Sequence, residues 1–186
     1  MVIRGRDAEV EGIIETAKLM LVSARTAPKT AGIDLIEGAI VVGAEKEKIA
    51  EDMEKLADKR RIKNFVRGAK NVRGSEAVVL IGVKATRSSG IDCGACGYKR
   101  CSEFDERAKE TGEDFSGPSC AFKLLDLGIA LGSAVKTASM LNVDNRLMYR
   151  IGAAAMRLNL LPDCTMVIGI PLSARGKNIC FDREFN

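Results

Sequence analysis

The sequence predicts an α+β fold. Two segments repeat their apolar residues at helical spacing, and three short aliphatic runs bounded by glycine or proline read as strands. Residues 87–119 follow neither pattern. They are rich in glycine, serine, cysteine and charge and poor in aliphatics, which marks an inserted loop module rather than core. At 186 residues and 46% hydrophobic content, the chain suits one domain spanning residues 1–186, with the module occupying 87–121 inside it. Trp is absent and aromatics are scarce, so the core must be aliphatic.

From Asp7 to about Ala24, residues Val10, Ile13, Ile14, Ala17, Met20, Leu21 and Ala24 share one helical face, and Pro28 and Gly32 stop the helix. Leu35 to Val42 is read as a strand ended by Gly43. Lys46 to about Arg60 is a second amphipathic helix with Ile49, Met53 and Leu56 inward. The basic stretch from Lys59 to Arg73 is read as a solvated face. Ala77 to Val83 is a continuous apolar run, as expected of a strand covered on both faces. Cys120 to Leu141 is a long helix rich in small residues, which permit close approach of a neighbouring helix or subunit. Each of its glycines costs about 1 kcal/mol relative to alanine in an isolated helix. Arg146 to Leu158 is another helix, and Cys164 to Ile170 is a third strand, ended by Pro171.

Several function classes are excluded or made remote. With no histidine, Ser-His-Asp and Cys-His catalysis and histidine general-base chemistry are absent. The N-terminal residues lack the apolar run of a secretory signal, and Lys123, Asp126 and Lys136 interrupt the longest apolar region. These features predict a cytoplasmic protein without a membrane span. In that compartment cysteines serve as metal ligands or reactive thiols more often than as disulfides. The net charge of +4 is mild, and Phe65 is the lone aromatic in the basic stretch, so the sequence argues against nucleic acid as a partner.

Four of the six cysteines form one pattern, Cys93-x2-Cys96-x4-Cys101-x18-Cys120. An iron–sulfur cluster requires four thiolates converging on one small inorganic core. Two come from the C-x2-C turn and the third from the next turn. The fourth comes from the start of a helix, where free N–H groups and the positive dipole end favour thiolate. Gly94 and Gly97 each follow a cysteine and let the backbone curl toward the sulfurs, while Gly117 and Pro118 turn the chain before Cys120. A structural zinc site needs the same thiolates and remains the alternative, although the x4 step, the glycines and the missing second C-x2-C pair argue against it. Cys164 opens an apolar strand as a small hydrophobe, and Cys180 has no assigned role.

The stretch CGACGYKRCSEF, followed by GPSC, resembles the C-G-x-C-G-x4-C…C module of electron-transfer and corrinoid iron–sulfur proteins, which binds one [4Fe–4S] cluster. Two further segments resemble nitroreductase-like flavoproteins. SARTAPKTAGIDLIEGAIVVG is similar to their A-x-x-A-P-S-x-x-N helix–loop–strand, through Ala24, Ala27 and Pro28. The stretch from LLDLGIALGSAVKTASML to VIGIPLSARGK resembles their central helix, short helix and strand ending in G-[YI]-P. The combination resembles a family of uncharacterised proteins with a ferredoxin-like cluster domain.

That resemblance implies a three-layer sandwich carrying the iron–sulfur loop, and a homodimer with FMN in the dimer cleft. Arg4 or Arg6 would match the N-terminal phosphate arginine. Thr26 to Gly32, including Lys29 and Thr30, would be the loop beside the flavin ring, and Arg175 and Lys177 would reach the phosphate. Lys29 stands where the superfamily has Ser, Gly32 where it has Asn and Asp34 where it has Gln. The expected function is that of an iron–sulfur redox protein, an oxidoreductase passing electrons to a flavin, a small-molecule substrate or a partner protein. The alternative is a non-enzymatic metal-binding module, a zinc or cluster staple with a degenerate flavin pocket. The catalytic residues are not legible.

Overall fold

A computed structural model describes residues 1–181. The chain runs through α1 (Gly5–Thr26), β1 (Ile36–Val41), α2 (Gly43–Arg60), α3 (Asn64–Gly74) and β2 (Ala77–Val83). A long connection then carries α4 (Cys101–Glu106) and a small antiparallel pair, β3 (Glu110–Thr111) and β4 (Ser116–Gly117). It leads into α5 (Ala121–Met140), β5 (Asp144–Asn145), α6 (Tyr149–Arg157) and β6 (Met166–Ser173).

The main sheet has the order β1-β2-β6-β5, with every pairing antiparallel. Alternation along β2 divides the core in two. Ala77, Val79, Ile81 and Val83 face one cluster with α1 and α5, whereas Val78 and Leu80 face another with α2, α3 and α6. Helices therefore cover both faces, and all seven residues of β2 are buried. The result is a three-layer α+β sandwich. The continuous apolar run was the legible sign of this double cover.

β6 extends past its expected end, through Pro171. Leu172 accepts a hydrogen bond from the Glu76 amide on the β2 side, while Gly169 exchanges both bonds with Met148 on the other side. By alternation, the nitrogen of Pro171 points to the Met148–β5 side, between the Gly169 bridge and the short β5 pairing, so no ladder bond to β2 is lost. The helix expected from Arg146 begins instead at Tyr149, because Asp144 and Asn145 pair with Ser173 and Leu172. α6 then crosses β6 in backbone contact: a Cβ at Gly152 would lie 1.7 Å from the Val167 carbonyl oxygen.

The basic stretch holds a helix that its charge concealed. Phe65, Gly68, Ala69 and Val72 form the buried stripe of α3, and the cations lie around it. No helix among the described residues is long and apolar enough to cross a membrane.

Candidate metal centre

The cysteine segment is built from tight turns rather than regular structure. Gly90, Gly94 and Gly97 have φ of 71°, 72° and 89°, values that glycine adopts without the Cβ penalty. The Gly97 amide closes a turn on the Gly94 carbonyl at 3.0 Å, which holds the Cys93–Cys96 pair in a curl. The segment packs on its own small aromatic core. Phe104 is fully buried, Tyr98 meets it edge-on at 5.8 Å, and the Lys109 ammonium lies 3.7 Å from the Phe104 ring centroid.

Cys101 is the first residue of α4. Its sulfur accepts a hydrogen bond from the Asp92 amide at 3.3 Å, and its own amide donates to the Asp92 carboxylate at 2.6 Å. Cys120 is the residue immediately before α5, fixed by its amide bonding to the Ala85 carbonyl at 3.0 Å. Its sulfur lies 3.7 Å from the Ser89 hydroxyl. Burial works against ionisation of Cys120. The amide of Lys123, the hydroxyl and amide of Ser89 and the amide of Phe122 together outweigh it, and the thiol titrates below its ordinary value. None of these amides makes a cap hydrogen bond of normal geometry, so the effect is that of donors gathered round the sulfur.

Cys101 and Cys120 thus touch two ends of one four-residue turn, Ser89 to Asp92, and Cys93 follows that turn directly. All six cysteines are free. Cys93 is exposed, Cys96 and Cys101 are partly exposed, and Cys120 is buried. Among the described residues, no three Cys, Asp or Glu side chains stand close enough together to hold a single metal ion. The donor chemistry nonetheless fits an iron–sulfur cluster: free thiols at the required spacing, an amide already donated to sulfur, and one thiol disposed to ionise. Cys164 and Cys180 lie apart from this segment in the chain and are buried, and burial raises both thiol pKa values.

The residues expected beside a flavin are placed differently from one another. Lys29 turns back onto the end of α1, where its ammonium donates to the Ala24 carbonyl at 2.8 Å and to the Arg25 carbonyl. Thr30 donates its amide and its hydroxyl to Asp126 of α5, each at 2.8 Å. Asp126 also pairs at 3.1 Å with Lys123, whose side chain is fully buried and which donates to the Ile33 carbonyl at 3.0 Å. Arg6 and Arg175 converge on the carboxylate of Glu76, the latter at 3.0 Å. Arg4 is exposed before α1, and Lys177 lies in the loop after β6.

Two kinds of comparison bear on this arrangement. An uncharacterized protein from Archaeoglobus fulgidus is 51% identical over 183 residues, which is 98% of each chain. The family model for uncharacterized proteins containing a ferredoxin domain (DUF2148) matches residues 116–183. The chain belongs to this ferredoxin-domain family. The matched stretch includes Cys120, while Cys93, Cys96 and Cys101 precede it.

The ferredoxin-domain chain also has the nitroreductase-like fold that its sequence resembles. Nitroreductase CinD from Lactococcus lactis, solved in complex with chloramphenicol, superposes with a TM-score of 0.59 at 12% identity, covering 94% of this chain and 81% of that one. A nitroreductase with bound FMN from Desulfitobacterium hafniense superposes with a TM-score of 0.55 at 15% identity, covering 88% and 78%. The chain spans 59% of the length of nitroreductase A from Vibrio parahaemolyticus.

Sequence reading missed five members of this neighbourhood. Ser89 and Asp92 support cysteine sulfurs, and Asp92 had a usable signal in its position directly before Cys93. Lys123 and Asp126 were visible as charges three residues apart in an apolar helix, but their partners lie about a hundred residues away in sequence. Glu76 carried no signal.

Proposed function

We propose that this chain is an iron–sulfur electron-transfer protein in which Cys93, Cys96, Cys101 and Cys120 hold a [4Fe–4S] cluster. One observation carries the reading: Cys101 and Cys120, nineteen positions apart, meet opposite ends of the Ser89–Asp92 turn that delivers Cys93. Membership of the ferredoxin-domain family supports a redox role. When bound, such a cluster supplies one-electron chemistry. The chain's own groups hold it and set its surroundings. The Asp92 amide donates to one ligand sulfur and Ser89 stands beside another, both favouring negative charge on sulfur. Tyr98 and Phe104 pack edge-on within the same segment, and Lys99 adds a cation next to Tyr98 in the chain.

The acceptor belongs between two copies of the chain, as a flavin or a small substrate. α5 supports this assembly because its outer face carries Leu125, Gly128, Ile129, Gly132 and Met140, all exposed, and a Cβ at either glycine would meet nothing within 4 Å. Free thiols throughout the chain agree with a cytoplasmic setting.

A second reading, a metal-binding module that staples its loop without serving a flavin, is favoured by one set of contacts. Lys29, Thr30, Arg6 and Arg175 are already engaged by groups of this chain, so they do not stand as a free donor set for FMN. No electron step is therefore assigned to a flavin. Replacing Cys96 by Ala separates the two readings. An electron-transfer centre predicts a variant with wild-type far-ultraviolet circular dichroism that no longer accepts electrons from dithionite. A staple predicts loss of cooperative unfolding. Unchanged dithionite-bleachable absorption in this variant would remove Cys96 from the site.

A further inference from the structure

On the opposite face of the sheet from α5, a recess of about 120 Å³ lies between α3, the turn after β5, the start of α6 and the short helical turn at residues 179–181. Arg67, Asn71, Arg146, Tyr149, Arg150 and Cys180 line it, and among the described residues the lining contains no carboxylate. Among the described residues, none of the three arginines makes an ion pair. The contrast with Arg60 is informative. Arg60 and Arg150 both lie over the Phe65 ring, at 5.6 and 5.8 Å, yet Arg60 is neutralised by Asp114 at 2.7 Å and Arg150 has no such partner among the described residues.

Three features make this a built site rather than a chance grouping of surface cations. The Nε of Arg150 is buried without a hydrogen-bond partner, an arrangement that costs stability unless an acceptor arrives. The guanidiniums are held by rings: Arg150 lies 5.3 Å from the Tyr149 centroid and Arg146 lies 5.3 Å from that of Phe181. A guanidinium already fixed in place loses less freedom for each hydrogen bond it makes. Asn71, only 8% exposed, adds an amide at the α3 wall.

We propose that this recess binds a phosphoryl group, as inorganic phosphate or as the phosphate of a small monoester. Guanidiniums from α3, from the turn after β5 and from α6 suit a tetrahedral anion with oxygens in several directions better than a planar carboxylate. The volume is well below the roughly 300 Å³ at which pockets enclose drug-sized molecules, so the group enters head first and any attached body stays outside. The site is separate from the cysteine segment and does not depend on the cluster proposed there.

The test is calorimetric titration of the full chain, in low-salt chloride buffer, with inorganic phosphate and separately with adenosine monophosphate. Saturable binding is expected. Arg67→Gln and Arg146→Gln should each weaken it about tenfold to a hundredfold, as expected for a lost hydrogen bond to a charged group. Lys59→Gln, on α2 outside the recess, should leave it unchanged. Tighter binding of the nucleotide assigns an esterified phosphate, whereas binding of phosphate alone assigns a free oxyanion. A measurement on the unsubstituted chain guards against a variant that fails to fold. Saturating phosphate should slow modification of Cys180 by a thiol reagent and leave Cys93 unaffected. Absence of saturable binding, equal binding in the arginine variants, or an unaltered Cys180 rate would overturn the proposal.

Discussion

Two cysteines show how position sets thiol chemistry. Cys120 is buried at the start of a helix, and the donors around it hold its pKa below the ordinary value. Cys164 is buried among aliphatic side chains beside β2, where burial pushes its pKa up to about 11; Glu37 adds to the rise and Lys84 opposes it. The folded pKa of Cys164 lies above its ordinary 9.0, so the folded state holds this proton more tightly than the unfolded chain. The stability it contributes is complete below about pH 9 and is lost as pH rises toward 11. Melting curves across pH 7 to 11 should show the wild type losing stability relative to Cys164→Ala over that upper window. Parallel curves would contradict this assignment. At this scale the sequence was a good guide to Cys120, because a Gly-Pro turn ahead of an apolar run places a residue at a helix start. It was silent on Glu76, whose role between Arg6 and Arg175 arises only when α1 and the end of β6 meet.

Among elements, α5 connects the cysteine segment to the loop after α1. Cys120 precedes it, and one to two turns later Lys123 and Asp126 fasten Thr30 and Ile33. The pair is almost wholly buried, so breaking it leaves an uncompensated charge in the core. Asp126→Leu should cost about 3–5 kcal/mol in denaturant unfolding, whereas the double change Lys123→Met with Asp126→Leu should cost far less. Equal losses in the two variants would show that the charge pair itself is not the strained group. Elements with a single clear period were legible: β2 has the expected bounds, and α1, α2 and α5 differ from expectation by only a few residues. α3 was hidden because Arg67, Lys70 and Arg73 interrupt a short stripe in which only Phe65 and Val72 are large apolar residues. The start of α6 and the end of β6 were displaced by the β5 pairing, a long-range contact without a local signal.

For the molecule as a whole, the sandwich places the cysteine segment and the exposed stripe of α5 at connected positions. α1 shares this outer layer, with Leu19 and Val22 also exposed. Exposed aliphatics beside glycines with open space above them predict a self-association face. Light scattering should report a dimer for the wild type. Ile129→Glu should weaken that dimer about thirtyfold or more, as for loss of a central interface residue. A wild-type monomer would place the acceptor site within one chain. The central claim remains that the four cysteines assemble an iron–sulfur cluster, and its most direct measurement is the iron, acid-labile sulfide and zinc content of anaerobically purified protein. The account predicts about four irons and four sulfides per chain, and their loss when Cys120 is replaced by Ala. One zinc per chain with no sulfide would contradict it.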